Sequence, residues 1–276
     1  RPGGGPVFCS FHSRGVIRVN WLGPFFEPIA GAVLVLLAAG LMFVFSLQRR
    51  TAQRSRSRPV LRPILALQRL RRAIGLAVED GARLHVSLGK ANIIGFNNAS
   101  ALTGLSTLER VGILSSVSDR PPVATSGDGT LAILSQDTVR AAYRISNIPE
   151  NYDPNQARLS GPTSFSYVAG ALPVVHDERV SAHILVGNFG PEVGLLTDAV
   201  EREGSFALAA SDSFAGQAVI YATATEALIG EELFAIPAYL QASSMHQAGL
   251  RAQDVLRWLV VGALIVGAFV SLFLNP

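Results

Sequence analysis

Two apolar runs bracket this chain, and an alternating pattern lies between them. Ile29–Leu47 carries no charge, and Trp258–Leu274 is equally uncharged. At a rise of about 1.5 Å per residue each reads as a helix of the right order to cross a hydrocarbon core of ~30 Å. After the first run comes a polar linker, Gln48–Pro59. Pro63 then suits a first helical turn, and Leu67, Leu70, Ile74, Ala77 and Val78 recur at helical spacing up to a stop at Gly81. Arg83–Leu88 alternates like a strand and ends at Gly89. A helix is expected over Leu102, Leu105, Leu108 and Ile113, with Ser106–Glu109 as a capping box. Pro122–Thr125 reads as a strand, Leu131–Ile145 as a helix, and Asn147–Pro162, with three prolines, as a surface loop.

The second half repeats that texture. Val180–Val186 is a strand, Pro191–Glu203 a helix ending at Gly204, and Phe206–Ala210 a strand. Phe214–Leu240 is helical in parts, broken by Gly216, Gly230 and Pro237. From Ser244 one helical pattern runs through Arg251 and Arg257 into the second apolar run. Alternating strands and helices with continuous apolar strands predict an α/β fold: a parallel, Rossmann-like sheet covered by helices, held between two transmembrane helices. The expected divisions are an extracytoplasmic arm (1–28), a first span (29–47), a basic linker and juxtamembrane helix (48–81), an α/β domain (82–242), a second juxtamembrane helix (243–257) and a second span (258–274).

Charge orients this arrangement. Nine of the 23 Lys and Arg residues lie in Arg49–Arg72, and no carboxylate occurs between Arg49 and Glu79. A basic flank beside a span marks the cytoplasmic side. Arg49, Arg50, Arg54, Arg56, Arg58, Arg62 and, at the second span, Arg257 are therefore expected to face anionic headgroups of a bacterial inner membrane, at about 1 kcal/mol per charge. Both termini then lie outside. Trp21, Phe25 and Phe26 form an aromatic belt before the first span, and Trp258 lies at the interface of the second. From Glu79 to Asp254 there are 10 basic and 19 acidic residues. An acidic domain repels phosphate backbones, which excludes nucleic acid as a partner despite the net charge of +3. With 49% hydrophobic residues and a mean hydropathy of +0.35, the chain suits two spans plus one folded domain. It begins with Arg1, which reads either as a processed start or as part of a longer product.

Small residues recur on both spans: Gly31, Ala32, Ala38 and Ala39 on the first, Ala263, Gly267 and Ser271 on the second. Such faces let helices approach closely, within one chain or between copies, although ordinary alanine and glycine content explains them equally well.

Three turns are candidate sites, because ligands of parallel sheets gather at the carboxyl ends of strands. They contain Thr125, Ser126, Gly127, Asp128 and Gly129; Gly187, Asn188 and Gly190; and Ser211 and Asp212. Each places small or polar groups at a helix start, where backbone N–H groups hold anions. Capping explains Asp128 and Asp212 equally well, and a carboxylate at Asp128 repels phosphate. No glycine-rich nucleotide signature occurs there. The histidines His12, His85, His176, His183 and His246 show no ligand spacing, and a single cysteine, Cys9, builds neither a disulfide nor a zinc site. No catalytic residues, metal ligands or cofactor are assigned.

The runs Leu84–Gly89, Ser118–Thr138 and Leu250–Trp258 resemble a family of uncharacterised bacterial membrane proteins classified as a domain of unknown function, over roughly Leu61 to the C-terminus. The resemblance implies a membrane-anchored bacterial protein and brings no activity. The expected function is a non-enzymatic component whose cytoplasmic domain assembles as a homo-oligomer or within a larger membrane complex. The alternative is a membrane-anchored sensor that binds a ligand at the three turns.

Overall fold

The computed structural model describes residues 31–33, 35–44, 62–95, 98–240 and 244–274. The arm with Cys9, the aromatic belt, and Arg49, Arg50, Arg54, Arg56 and Arg58 lie outside them.

Six strands form one fully parallel sheet: β1 (Arg83–Gly89), β2 (Val123–Ser126), β3 (Ala157–Leu159), β4 (Val180–Asn188), β5 (Phe206–Ser211) and β6 (Glu226–Leu228). The spatial order is β3-β2-β1-β4-β5-β6. This is the order of doubly wound α/β folds, in which the chain reverses its direction of travel between β1 and β4. The expected parallel α/β architecture is present.

Strand alternation divides the core. Leu84, Val86 and Leu88 of β1 join Ile184 and Val186 of β4 in a cluster covered by α2 (Leu65–Glu79), α3 (Asn98–Ser115), α4 (Gly129–Ile145) and α8 (Glu232–Tyr239). The opposite face packs Leu185, Ala207 and Ala209 under α5 (Ser164–Asp177), α6 (Val193–Arg202) and α7 (Phe214–Thr223). In α2, Leu67, Leu70, Ile74 and Ala77 form the buried stripe, while Arg69 reaches across to pair with Glu226 at the start of β6. Gly81 follows at φ +62, where a residue without Cβ costs least.

Several expectations need correction. Ser106–Glu109 is not a helix start, because α3 already begins at Asn98. The expected loop 147–162 contains two 3-10 turns and the edge strand β3. Phe214–Leu240 contains the opposite edge strand, β6, between two helices. Gly216 and Pro237 lie inside those helices and do not break them. Both edge strands are three residues long, too short to show a period of two. Ser164–Asp177, left unassigned by the sequence reading, is α5. Its start is a capping box in which Thr163 Oγ1 accepts from the Ser166 N–H and Ser166 Oγ accepts from the Thr163 N–H.

The final helix, α9 (Ser244–Leu274), is a single element of 31 residues, as the pattern predicts. Ala248 and Ala252 are buried against the domain, and α8 packs beside the helix. Beyond Arg257 its described side chains are exposed, among them Trp258, Leu259, Leu264 and Phe269. Within α9, His246–Phe269 is long and apolar enough to cross a membrane, with mean hydropathy 1.5. The first apolar run is described only as the shorter helix α1 (Gly31–Val44), which does not reach that length among the described residues.

Candidate functional site

The carboxyl ends of β2, β1, β4 and β5 gather all three predicted turns at one edge of the sheet. Backbone bonds tie the strand ends together. Lys90 N–H donates to Asn188 O at 2.9 Å, Gly127 N–H to Gly89 O at 2.7 Å, and Asp212 N–H to Gly187 O at 3.3 Å. Glycine makes this closeness possible. A Cβ on Gly187 would overlap the Leu88 carbonyl, and one on Gly89, at φ +63, would overlap the Asn188 carbonyl. In dinucleotide-binding sheets such glycines let a phosphate approach the backbone. Here they let β1 and β4 approach each other.

Side chains then lock the turns. Asp212 accepts from Ser100 Oγ at 2.6 Å and from Asn188 Nδ2, joining the first turn of α3 to the ends of β4 and β5. Ser211 Oγ accepts from Phe189 N–H at 3.0 Å and donates to Phe189 O at 2.9 Å. Asp128 caps α4 by accepting from Leu131 N–H at 3.0 Å. The predicted turns meet pairwise: Gly187 and Asn188 bond directly to Asp212, while Gly127 bonds to Gly89 on the far side of β1. Gly190 N–H donates to Glu192. Gly129 opens α4 with no atom within contact of a Cβ.

Sequence reasoning missed the charged centre of this edge. Lys90, the only lysine in the chain, follows β1 directly. Its Nζ lies 3.1 Å from Glu192 Oε1 and donates to Ser164 Oγ at the start of α5. Burial raises the Glu192 carboxyl pKa, but its own backbone N–H, Lys90 and the Gly190 N–H outweigh burial and hold it below the usual value. A lone lysine straight after a predicted strand was the available signal.

A buried polar chain lies beneath this edge, on the α5 face. Thr125, read both as the end of a strand and as the start of a candidate turn, lies within β2 and is wholly buried. Its hydroxyl lies 2.8 Å from His85 Nε2 and 3.2 Å from Tyr167 OH. Tyr167 OH also bonds Ser87 Oγ and accepts from Gly89 N–H at 3.2 Å. Burial raises the Tyr167 pKa, so the phenol stays protonated. At the other end His85 Nδ1 meets His183 Nδ1. The two histidines are 98 residues apart and in register on neighbouring strands, which local spacing could not reveal.

Among the described residues no group of three or more His, Cys, Asp or Glu is placed to hold a metal. A cleft of about 510 Å³ lies at the other edge of the sheet, lined by Ser116, Ser118, Asp119, Tyr143 and Asn151, away from every predicted turn.

A family model described as a domain of unknown function, DUF6754, matches residues 26–275. The chain belongs to the DUF6754 family. That match runs from the first apolar run through the sheet to α9, so the DUF6754 unit includes both apolar segments as well as the α/β domain. No curated protein and no solved structure matches the chain.

Proposed function

We propose that this DUF6754 protein is a non-enzymatic, two-span membrane protein. Its α/β domain lies under the cytoplasmic leaflet and serves as an assembly component of a homo-oligomer or a larger membrane complex. The observation that carries this reading is α9: one helix begins packed on the domain and ends with an apolar surface that no described part of the chain covers. Water is a poor solvent for that surface and lipid a good one. The non-enzymatic part draws support from the sheet edge, where Asp128, Ser211 and Asp212 spend their polar atoms on capping and cross-linking. The small-residue faces of both apolar runs suit contacts between copies.

The test uses the full chain in its native membrane. It should resist carbonate extraction and, in nanodiscs, run larger than one copy or with a bound partner. Release by carbonate overturns the membrane assignment, and a lone monomer overturns the assembly. Cys9 should label from outside intact cells, while Asn155→Cys in a Cys9→Ser chain should label only after permeabilisation. The reverse result inverts the topology.

A second reading is a membrane-anchored ligand sensor. Lys90 favours it: a partly exposed cation at the point where the winding reverses, the usual ligand position of such sheets. Thermal stabilisation by nucleotides or small anions supports this reading, and a flat response removes it.

A further inference from the structure

The direction of α9 relative to the sheet fixes which side of the domain meets the bilayer. β6 ends at Leu228, so Glu231, just before α8, lies at the strand carboxyl edge. Gly230 N–H donates to Gln217 Oε1 at 3.2 Å, which places the first turn of α7 at the same level. From there α8 runs back toward the strand starts. Its far end, Tyr239, donates to the Arg62 carbonyl beside the entrance to α2. α9 travels antiparallel to α8. Gln247 Nε2 donates to Ala238 O, and six residues later Gln253 Nε2 reaches Glu231 at 3.1 Å, where Arg257 also pairs. The helix therefore climbs toward the strand carboxyl ends, and everything after Arg257 continues past that edge.

That same edge carries the two most exposed large apolar side chains among the described residues of the domain. Phe214, the first residue of α7, is 89% exposed, and Ile94, in the β1–α3 connection, is 88% exposed. Phe165, at the start of α5, is 74% exposed. In the strand order they stand after β5, β1 and β3, so they are spread along the whole edge as three separate points. Single exposed apolar side chains are ordinary on a protein surface; what sets these three apart is that they share the side to which an apolar helix leads.

We propose that the carboxyl edge of the sheet rests on the bilayer, with Ile94, Phe165 and Phe214 inserted at headgroup depth around the exit of α9. The inference rests on the membrane reading above and adds the docked face and its contact residues. Docking covers the Lys90–Glu192 edge with lipid and turns the cleft at Asp119 and Tyr143 toward the aqueous side, where a partner protein has access.

The experiment uses the full chain with Cys9→Ser in nanodiscs. Single Ile94→Cys, Phe165→Cys and Phe214→Cys variants carry a polarity-sensitive dye. Val117→Cys and Tyr221→Cys, 78% and 77% exposed and toward the other edge, serve as aqueous references, and Leu264→Cys reports on α9. The three edge dyes should shift to the blue and lose emission to lipids bearing headgroup-level quenchers. The two reference dyes should do neither, and the Leu264 dye should respond to deep quenchers. A quenched Leu264 dye with edge dyes that match the references overturns the docking and leaves the membrane reading standing. An unquenched Leu264 dye overturns both. Edge dyes that shift to the blue without lipid quenching mean that protein, such as a second copy, covers the edge, and this also overturns the proposal.

Discussion

The Nδ1 atoms of His85 and His183 face each other at 3.0 Å across the β1–β4 pairing, in fully buried positions. The rings stand edge to face, 87° apart. Only one of the two nitrogens can carry the shared proton. Its choice sets the direction of the whole chain through Thr125 and Tyr167, since each hydroxyl donates onward in the same sense. Either way the chain ends at His183 Nε2, a buried atom with no hydrogen-bond partner among the described residues. A second proton would place a cation there with nothing to solvate it.

Both imidazoles are therefore held neutral, and stability must depend on pH. Burial lowers His183 to about 4. Burial first, then the neighbouring His183 and Arg158, lowers His85 well below its ordinary value. The unfolded chain takes up these protons near 6.5 and the folded chain only far below, so stability is full above 6.5 and falls as pH drops toward 4. For His183 alone the loss over that window is about 3 kcal/mol. Melting the full chain in nanodiscs across this window checks it. The His183→Gln variant should show a flatter decline than the wild type. An identical pH slope would mean that the imidazole is hydrated.

How much of this was legible beforehand depended on whether the signal was local. The strand β1 was readable because it alternates and stops at Gly89, β4 and β5 because they are short, largely apolar runs, and α4 and α9 because their apolar positions repeat at helical spacing. β3 and β6 were not, because a three-residue edge strand is defined by its neighbour's hydrogen bonds and not by its own side chains. At the site, the glycine-bearing turns were found, but their use was not. Whether Gly187 faces a ligand or the Leu88 carbonyl depends on a strand contributed about a hundred residues earlier. His85 and His183 were dismissed for lack of short spacing, and only parallel registration makes them partners.

The glycine contacts should be costly to disturb. Gly187→Ala places a methyl group on the Leu88 carbonyl oxygen, so β1 and β4 must separate at the point where the sheet is most tightly tied. The expected loss is about 3 kcal/mol or more. Gly81→Ala is the control. It shares a positive φ with Gly89 but has nothing within 4 Å of the new atom. Backbone strain alone should cost it about 1 kcal/mol. Denaturant midpoints of the two variants in the same membrane mimetic test this ordering, and equal losses would refute the close-approach account.

Asp128 separates capping from ligand binding. Its carboxylate accepts the Leu131 N–H, so Asp128→Ala should lose about 1 kcal/mol, while Asp128→Asn, which retains a side-chain oxygen, should lose much less. Removal of the charge alone should leave the melting temperature close to wild type in plain buffer. If Asp128→Asn instead creates or abolishes a thermal shift with phosphate or a nucleotide, the turn is reading an anion and the capping role is secondary.

The Lys90–Glu192 pair decides how free the chain's one lysine is to meet a ligand. The Glu192 side chain is 6% exposed, and its charge is sustained by its backbone N–H, Lys90 and the Gly190 N–H against the cost of burial. Lys90→Met leaves that carboxylate buried with its backbone donors alone, and stability at neutral pH should fall by about 2 kcal/mol. The sign with pH follows from the same contacts. A carboxyl held below its ordinary 4.5 adds stability above that value and loses it as pH falls, so the wild type weakens on acidification through this group. In Lys90→Met the Glu192 carboxyl rises, and this part of the acid loss should shrink or reverse. Glu192→Gln added to Lys90→Met removes the stranded charge and should recover most of the stability. A double-mutant cycle in nanodiscs measures the coupling. A coupling near zero would release Lys90 from a structural role and shift the weight of the argument to the sensor reading.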